Sequence, residues 1–330
     1  MTPEPPSKVD LLILGAGWTS TFLIPLCASR KISCAATSRP SAPKPDTIPF
    51  EFDPNSHDPK GFEVLPDAQT VLITFPIKVK GASRRLVKHY EQTHPNANAA
   101  YIQLGSTGIW DNAPGLWRDK HSAIINPDER AMAEDELLSL VPRHRRTTVL
   151  NLSGLWGGER SVKHWVGRVA PTKEALKKKV GTISNRIELR NKVIKNTSCV
   201  RLCQFNQGSI HMIHGEDVSR AILAVHQNFD RAVGERWLLT DGRVYDWWDI
   251  ASAWGDVESK WKSGVGNRTE EAGENGTSRG KGPQLKWVRE LMQEEGVRAL
   301  PRTPEQLGRA LDSREFWNTF ELEPIKARLE

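Results

Sequence analysis

The first patterned stretch of the chain is an apolar run, Val9-Asp10-Leu11-Leu12-Ile13-Leu14, broken only by Asp10 and ended by Gly15. A short run with little polar alternation, closed by glycine, is the pattern of a parallel strand buried on both faces. Thr19 to Arg30 then predicts a helix and Ile32 to Thr37 a second strand. Proline and aspartate crowd positions 40–59, which predicts a loop. The alternation resumes with a strand at Gln69 to Pro76, a helix at Gly81 to Thr93 and a strand at Ala99 to Leu104. A helix at Pro127 to Leu140 and a strand at Thr147 to Leu152 complete it. Strands alternating with helices build right-handed βαβ units, so the expected fold class is α/β, a doubly wound parallel sheet of Rossmann type.

Beyond Gly158 the pattern loosens. Helices are predicted at Lys173 to Val180, Asp217 to Asn228, Tyr245 to Trp254, Leu285 to Glu294 and Pro304 to Leu311. Strands are predicted at Gln207 to His214 and Arg236 to Thr240. Residues 263–283 are rich in glycine and nearly devoid of apolar side chains, the composition of a disordered insertion. The division this implies is a nucleotide-binding core over 1–160, and over 161–330 the rest of the sheet with a small C-terminal substrate lobe.

Composition narrows the class. No apolar run nears the roughly 20 residues that span a bilayer, so no membrane partner is expected. Cys27, Cys34, Cys199 and Cys203 are too few for a disulfide framework and lack zinc-site spacing. They are read as reduced thiols of a cytoplasmic protein, with no metal site. The net charge is +6, with basic residues gathered between Lys163 and Arg201. Such a run is most simply a solvated face, and no nucleic-acid motif accompanies it. A basic cleft also suits a phosphorylated cofactor.

The motif with chemistry in it is Gly15-Ala16-Gly17-Trp18-Thr19-Ser20, placed between the first strand and the first helix. In that context Gly15 permits the tight turn and Gly17 lets backbone approach a pyrophosphate at the helix N-terminus. Ser20 stands where a third glycine usually packs helix against strand. NAD-binding domains usually carry an acid about 20 residues further on, for the ribose hydroxyls. Here the second strand ends Thr37-Ser38-Arg39. Two hydroxyls and a guanidinium suit a 2′-phosphate, so NADP(H) is expected in preference to NAD(H).

This motif, the strand ending Phe75-Pro76, and the segment Leu104-Gly105-Ser106-Thr107-Gly108-Ile109-Trp110-Asp111 together resemble the extended short-chain dehydrogenase/reductases. Within them the chain is most similar to the atypical branch of the NAD-dependent epimerase/dehydratase family, over roughly Lys8 to Leu239. The resemblance implies that Phe75 and Pro76 line the cofactor, that Ser106 falls at the catalytic serine or threonine, and that Thr107 stands beside it. It also places Asn151-Leu152-Ser153-Gly154-Leu155-Trp156-Gly157 beside nicotinamide and substrate, and His214-Gly215-Glu216-Asp217-Val218 near the substrate pocket. The family's Tyr-x-x-x-Lys pair is missing. Register puts Asn126 at the tyrosine and Arg130 at the lysine, and none of Tyr90, Tyr101 and Tyr245 has a lysine four residues on. Arginine can hold a ribose hydroxyl but is too basic to exchange its proton.

The expected catalytic residues are therefore Ser106, Thr107 and Arg130, with Trp110, Asp111, Trp156 and His214 lining the substrate pocket. Two functions follow from different classes. One is an NADP(H)-dependent oxidoreductase or epimerase-like enzyme acting on a small organic molecule as monomer or homodimer. The other is a redox-silent NADP(H)-binding sensor.

Overall fold

The structure, a computed structural model, describes residues 8–113, 115–141, 145–179, 208–255 and 283–329. Its centre is a sheet of seven strands: β1 (Lys8–Leu14), β2 (Cys34–Ser38), β3 (Ile48–Pro49), β4 (Asp67–Ile73), β5 (Ala100–Ser106), β7 (Thr147–Leu152) and β11 (Arg236–Leu239). The spatial order is β3-β2-β1-β4-β5-β7-β11, and every neighbouring pair is parallel. The order runs outward in both directions from the β1/β4 pair. This is a doubly wound Rossmann sheet, and the crevice beyond the carboxyl ends of β1 and β4 is its topological switch point, where such sheets bind ligands.

The unalternating apolar runs are explained by burial on both faces. Leu11, Ile13, Leu72, Ile102, Leu104, Leu150 and Leu152 pack on one face, under helices α1 (Ser20–Ser29) and α6 (Gly215–Gln227). Leu12, Leu14, Val71, Ile73, Tyr101 and Val149 pack on the other, under α2 (Ala82–Thr93) and α3 (Glu129–Leu138). Each such leucine, isoleucine or valine contributes about 1.5–3 kcal/mol by leaving water.

A second core lies in the C-terminal part of the chain. Trp156, Leu176, Met212, Trp247, Trp248, Val288 and Leu291 pack among α4 (Lys163–Val169), α5 (Lys173–Lys177), α7 (Trp247–Trp254) and α8 (Gln284–Glu294). Several expected elements change here. The strand expected over Gln207 to His214 is two short ones, β9 (Ser209–Ile210) and β10 (Met212–His214). β10 runs parallel to β8 (Gly154–Trp156), and β9 antiparallel to β12 (Tyr245–Asp246). The helix expected over Pro304 to Leu311 stops as α9 (Pro304–Leu307), because Gly308 turns left-handed at φ 77°. The chain then forms β13 (Ala310–Leu311), parallel to β6 (Trp117–Arg118), before α10 (Arg314–Thr319). That pairing brings the C-terminal segment against the loop that follows β5. The expected insertion at 263–283 falls, apart from Pro283, outside the described residues, as do Cys199, Cys203 and the basic stretch from Val180 to Arg201. Among the described residues no helix is long and apolar enough to cross a membrane.

One buried ion pair ties the lobe together. Asp246 caps α7 by accepting from the Trp248 N–H at 2.8 Å. It also receives the Arg302 backbone N–H and Nε at 2.9 Å and a terminal guanidinium nitrogen at 2.6 Å. The two side chains are 0% and 2% exposed. Removing one partner of such a pair leaves a buried charge uncompensated. Asp246→Ala is therefore expected to destabilise the protein by about 3–5 kcal/mol, measurable as a lowered urea midpoint; a midpoint within error of the parent would show that the pair stabilises nothing.

Candidate functional site

At the end of β1 the chain must reverse direction within one residue, and Gly15 does so at φ 97°. A Cβ there would sit 2.7 Å from Thr74 Oγ1, so both backbone angle and space require glycine. The turn is braced from both neighbouring strands. Gly15 N–H donates to Thr37 Oγ1 at 2.9 Å, and Thr74 Oγ1 donates to the carbonyls of Leu14 and Gly15 at 2.9 and 2.7 Å. Beyond it, Gly17 is exposed and a Cβ there would meet nothing nearer than the Gly15 carbonyl at 4.0 Å. The N–H groups of Ser20, Thr21 and Phe22 close bonds within the turn. Those of Trp18 and Thr19 donate to no group among the described residues. Ser20 Oγ is buried without a hydrogen-bond partner. Open backbone donors, an orphan hydroxyl and a helix N-terminus with no acid in its first turn form an anion cradle that fits a pyrophosphate.

The carboxyl end of β2 lies beside this turn. Thr37 is spent on the brace just described, and its carbonyl accepts from Ala16 N–H at 2.6 Å. Ser38 Oγ is hydrogen-bonded to Thr47 Oγ1 at 2.6 Å and accepts from Lys44 N–H at 3.2 Å. Arg39 is exposed. Lys44, which the sequence did not single out, returns from the loop so that its Nζ donates to the Ala16 carbonyl at 2.5 Å. Arg39 and Lys44 thus place two cations at and just beyond the carboxyl end of β2. Phe75 stacks on Phe52 with ring centroids 6.2 Å apart, and Pro76 is exposed, both just past the end of β4.

At the end of β5, Ser106 Oγ accepts from Gly108 N–H at 3.2 Å, capping a short turn of helix at Thr107–Trp110. Thr107 is buried. Trp110 is 0% exposed. It packs with Ile109, Ala113, Ala131, Leu238 and Leu311, and its indole donates to the Ser122 carbonyl at 3.0 Å. Asp111 Oδ1 pairs with Arg309 at 2.9 Å, a contact made possible by the β6–β13 pairing. A Cβ on Gly108 would stand 3.4 Å from Ser106 Oγ and 3.8 Å from Asp111 Oδ2, so both groups face the same glycine. Arg118 donates to the carbonyls of Trp110 and Asp111 at 2.8 Å. Burial pulls its pKa down to about 10, helped by the neighbouring Arg309.

α3 carries the residues that replace the expected pair. Asn126 precedes the helix at φ 52°, so that position is not helical. Arg130 donates to the Leu104 carbonyl at 3.2 Å and lies 3.7 Å from Glu134. Glu134 is fully buried, and burial holds its carboxyl above the ordinary range. It accepts from Asn151 Nδ2 at 2.9 Å, lies 3.3 Å from Arg236, and Asn151 in turn reaches the Ser106 carbonyl at 3.2 Å. The three tyrosines stand elsewhere. Tyr90 donates to the Pro66 carbonyl, Tyr101 is buried in the sheet, and Tyr245 donates to Asp241 Oδ2 at 2.6 Å. Burial raises the pKa of all three.

Across the crevice, β8 and the start of α6 make an aromatic wall. His214 caps α6 by accepting from Glu216 N–H at 3.2 Å and packs edge-on against Trp156 and Phe22, with centroids at 4.6 and 5.3 Å. A Cβ on Gly157 would fall 2.2 Å from His214 Nε2, so only glycine fits there. Ser153 Oγ and Trp156 Nε1 are buried without hydrogen-bond partners. Trp18 Nε1 donates to the Gly157 carbonyl at 3.0 Å, closing the glycine turn onto this wall. The structure thus gathers Trp18, Trp156 and His214 on one side of the crevice and Ser106 and Asp111 at the end of β5.

No protein-family model and no curated protein matches the chain. Solved structures share its fold. A UDP-glucose 4-epimerase superposes with a TM-score of 0.57 at 10% identity, over 97% of this chain and 93% of the other. MoeE5 in complex with UDP-glucose and NAD gives 0.54 at 14% identity, over 96% and 93%. A short-chain dehydrogenase/reductase superfamily protein from Agrobacterium tumefaciens with bound NAD gives 0.52 at 11% identity, over 96% and 92%. These neighbours share the Rossmann-type fold of this chain over more than nine-tenths of its length.

The Asp241–Tyr245 pair next to this wall yields a pH signature. Burial raises the Asp241 carboxyl from 3.8 to about 6, against the opposing pull of the Tyr245 hydroxyl. A carboxyl with a raised folded-state pKa favours folding fully below pH 3.8 and loses that contribution as pH rises through about 6. The stability of Asp241→Asn relative to the parent is expected to climb between pH 4 and 6 and to level off above; a difference flat across that window would refute the buried-carboxyl assignment.

Proposed function

We propose that the chain is an NADP(H)-dependent oxidoreductase or epimerase-like enzyme acting on a small organic substrate. The observation that carries this reading is the braced glycine turn at the switch point, with the N–H groups of Trp18 and Thr19 unclaimed among the described residues. Gly15, Gly17, Trp18, Thr19 and Ser20 hold the pyrophosphate, and Phe75 and Pro76 flank it. Arg39 and Lys44 receive the 2′-phosphate, with Thr37 holding the turn in register and Ser38 holding the loop that carries Lys44. A carboxylate at the end of β2 would repel that phosphate; this chain offers cations instead.

The nicotinamide, when bound, supplies hydride acceptance and donation. The chain's own residues orient and exchange the proton. Ser106 Oγ hydrogen-bonds the substrate oxygen, Thr107 supports the turn that presents it, and Arg130 binds a ribose hydroxyl. Asp111, fixed through Oδ1 by Arg309, takes up or returns the proton with Oδ2, the atom that shares Gly108 with Ser106. Trp156 and His214 wall the substrate on the far side, and UDP-sugars, which one structural neighbour holds, are the first compounds to screen.

A second reading, a redox-silent NADP(H) sensor, is favoured by one observation: Trp110, expected on the pocket wall, is fully packed inside. A sensor binds the dinucleotide and turns nothing over.

Calorimetric titration of the full chain with NADPH and NADH tests the reading. NADPH is expected to bind the more tightly. Arg39→Ala and Lys44→Ala should each cost roughly tenfold in NADPH affinity, the value of one charge-assisted contact, and leave NADH unchanged. Gly15→Val should abolish both, because its backbone angle and the approach of Thr74 forbid a side chain. A parent protein that binds neither dinucleotide overturns the proposal.

A further inference from the structure

A pyrophosphate carries two negative charges, and the glycine turn meets them with open amides and a helix N-terminus but with no side-chain cation of its own. Lys44 reaches the turn from the β2 side, with its Nζ on the Ala16 carbonyl; a second cation comes from the other side of the crevice. Past β8 the chain turns through Gly157 and Gly158, at φ 106° and 58°, and closes a bridge in which Gly157 and Arg160 exchange backbone hydrogen bonds at 2.9 and 3.1 Å. This tight turn is fastened to the glycine motif by the Trp18 indole, which donates to the Gly157 carbonyl at 3.0 Å. It delivers the Arg160 guanidinium onto the face of the Trp18 ring, 4.7 Å from the centroid. Arg160 is exposed, and its guanidinium makes no ion pair among the described residues. Glycines on both strands of the contact keep it clear. A Cβ on Gly158 would stand 3.3 Å from Phe22 and 4.0 Å from Trp18 Nε1.

We propose that Arg160 is the residue that neutralises the dinucleotide pyrophosphate, parked on Trp18 until the phosphates arrive. This role for Arg160 rests on the dinucleotide reading above, and it lies with a residue 140 positions from the glycine motif, brought there by the contact of Trp18 with Gly157, 139 apart in sequence. Three observations fall within three residues. The Trp18 backbone N–H donates to no group among the described residues, Ser20 is 4% exposed with its hydroxyl unpartnered, and the Trp18 ring carries the guanidinium. A cation–π contact at an exposed site is weak beside a charge-assisted bond to phosphate, so transfer from ring to phosphate runs downhill. Arginine suits the task because its fork meets two phosphate oxygens at once.

The pyrophosphate is common to NADPH and NADH, whereas the 2′-phosphate is not, and this separates Arg160 from Arg39 and Lys44. Calorimetric titration of the full chain carrying Arg160→Gln is expected to show NADPH and NADH weakened by the same factor, roughly tenfold. Arg160→Lys should recover part of the loss for both. The melting temperature of each variant without ligand should match the parent, since the side chain is exposed. If the parent binds and Arg160→Gln binds both dinucleotides within twofold of it, the proposal fails while the dinucleotide reading stands. Loss confined to NADPH also overturns it, placing Arg160 at the 2′-phosphate. A parent that binds neither dinucleotide removes both readings together.

Discussion

Gly15 stands at φ 97° with its N–H held by Thr37 of β2 and its carbonyl held by Thr74 at the end of β4. One residue therefore joins the carboxyl ends of three adjacent strands. The left-handed angle is what turns the chain upward out of β1 so that α1 starts over the sheet edge with its N-terminus toward the crevice. Without it the amides of Trp18 and Thr19 would be spent inside a longer helix. The two threonines matter as much as the glycine, because each side chain hydrogen-bonds backbone of the turn and thereby fixes its shape. The same economy explains why Thr37 and Ser38, hydroxyls at the tip of β2, are partnered within the protein. They shape the surface, and the cations Arg39 and Lys44 supply its charge.

Behind β5 a second constraint operates. Glu134 is fully buried and is met by Asn151, Arg236 and Arg130. A buried carboxylate of this kind is costly unless surrounded by donors. Here Asn151 forwards the connection to the carbonyl of Ser106, while Arg130 is drawn back toward the strand by Glu134 and the Leu104 carbonyl. Gly105 is needed because a Cβ would meet Asn151 at 2.2 Å and Glu134 at 2.5 Å. The network sets the height of Ser106 above the sheet.

Much of this architecture was legible in the chain because the sheet is buried on both faces. Continuous apolar runs at β1, β4 and β7 leave no competing reading, and their glycine and proline ends mark the strand exits. The glycine motif was legible for the same reason, since it follows such a run at once. Short, half-exposed elements were not. β3, β6 and β13 are two-residue strands whose pairing is decided by distant chain. Lys44 was missed because its role depends on a loop returning to Ala16, 28 residues back, and nothing local records that return. Arg160 was missed for a like reason. Trp110 was expected on a pocket wall from its place in a motif, yet its indole finds a carbonyl at Ser122 and apolar neighbours on β11 and β13, and burial of that much surface outweighs exposure to a cleft.

The choice between enzyme and sensor turns on Asp111. In the family that the sequence resembles a tyrosine passes the proton, and here burial raises the pKa of all three tyrosines. A carboxylate can replace it only if it is ionised, oriented and next to the reacting oxygen. Arg309 meets the second requirement by fixing Oδ1 with a guanidinium, and Arg118 holds the backbone of the same turn. His211, packed close to both arginines, is kept neutral by burial and by their charge, so it adds no third cation to the group. A Cβ on Gly108 would stand 3.8 Å from Asp111 Oδ2 and 3.4 Å from Ser106 Oγ, so that oxygen and the serine hydroxyl face the same glycine. In the enzyme proposed above, a carboxylate fixed by a guanidinium and facing the same glycine as a serine hydroxyl is the arrangement that would pass the proton, and the sensor reading gives it no task.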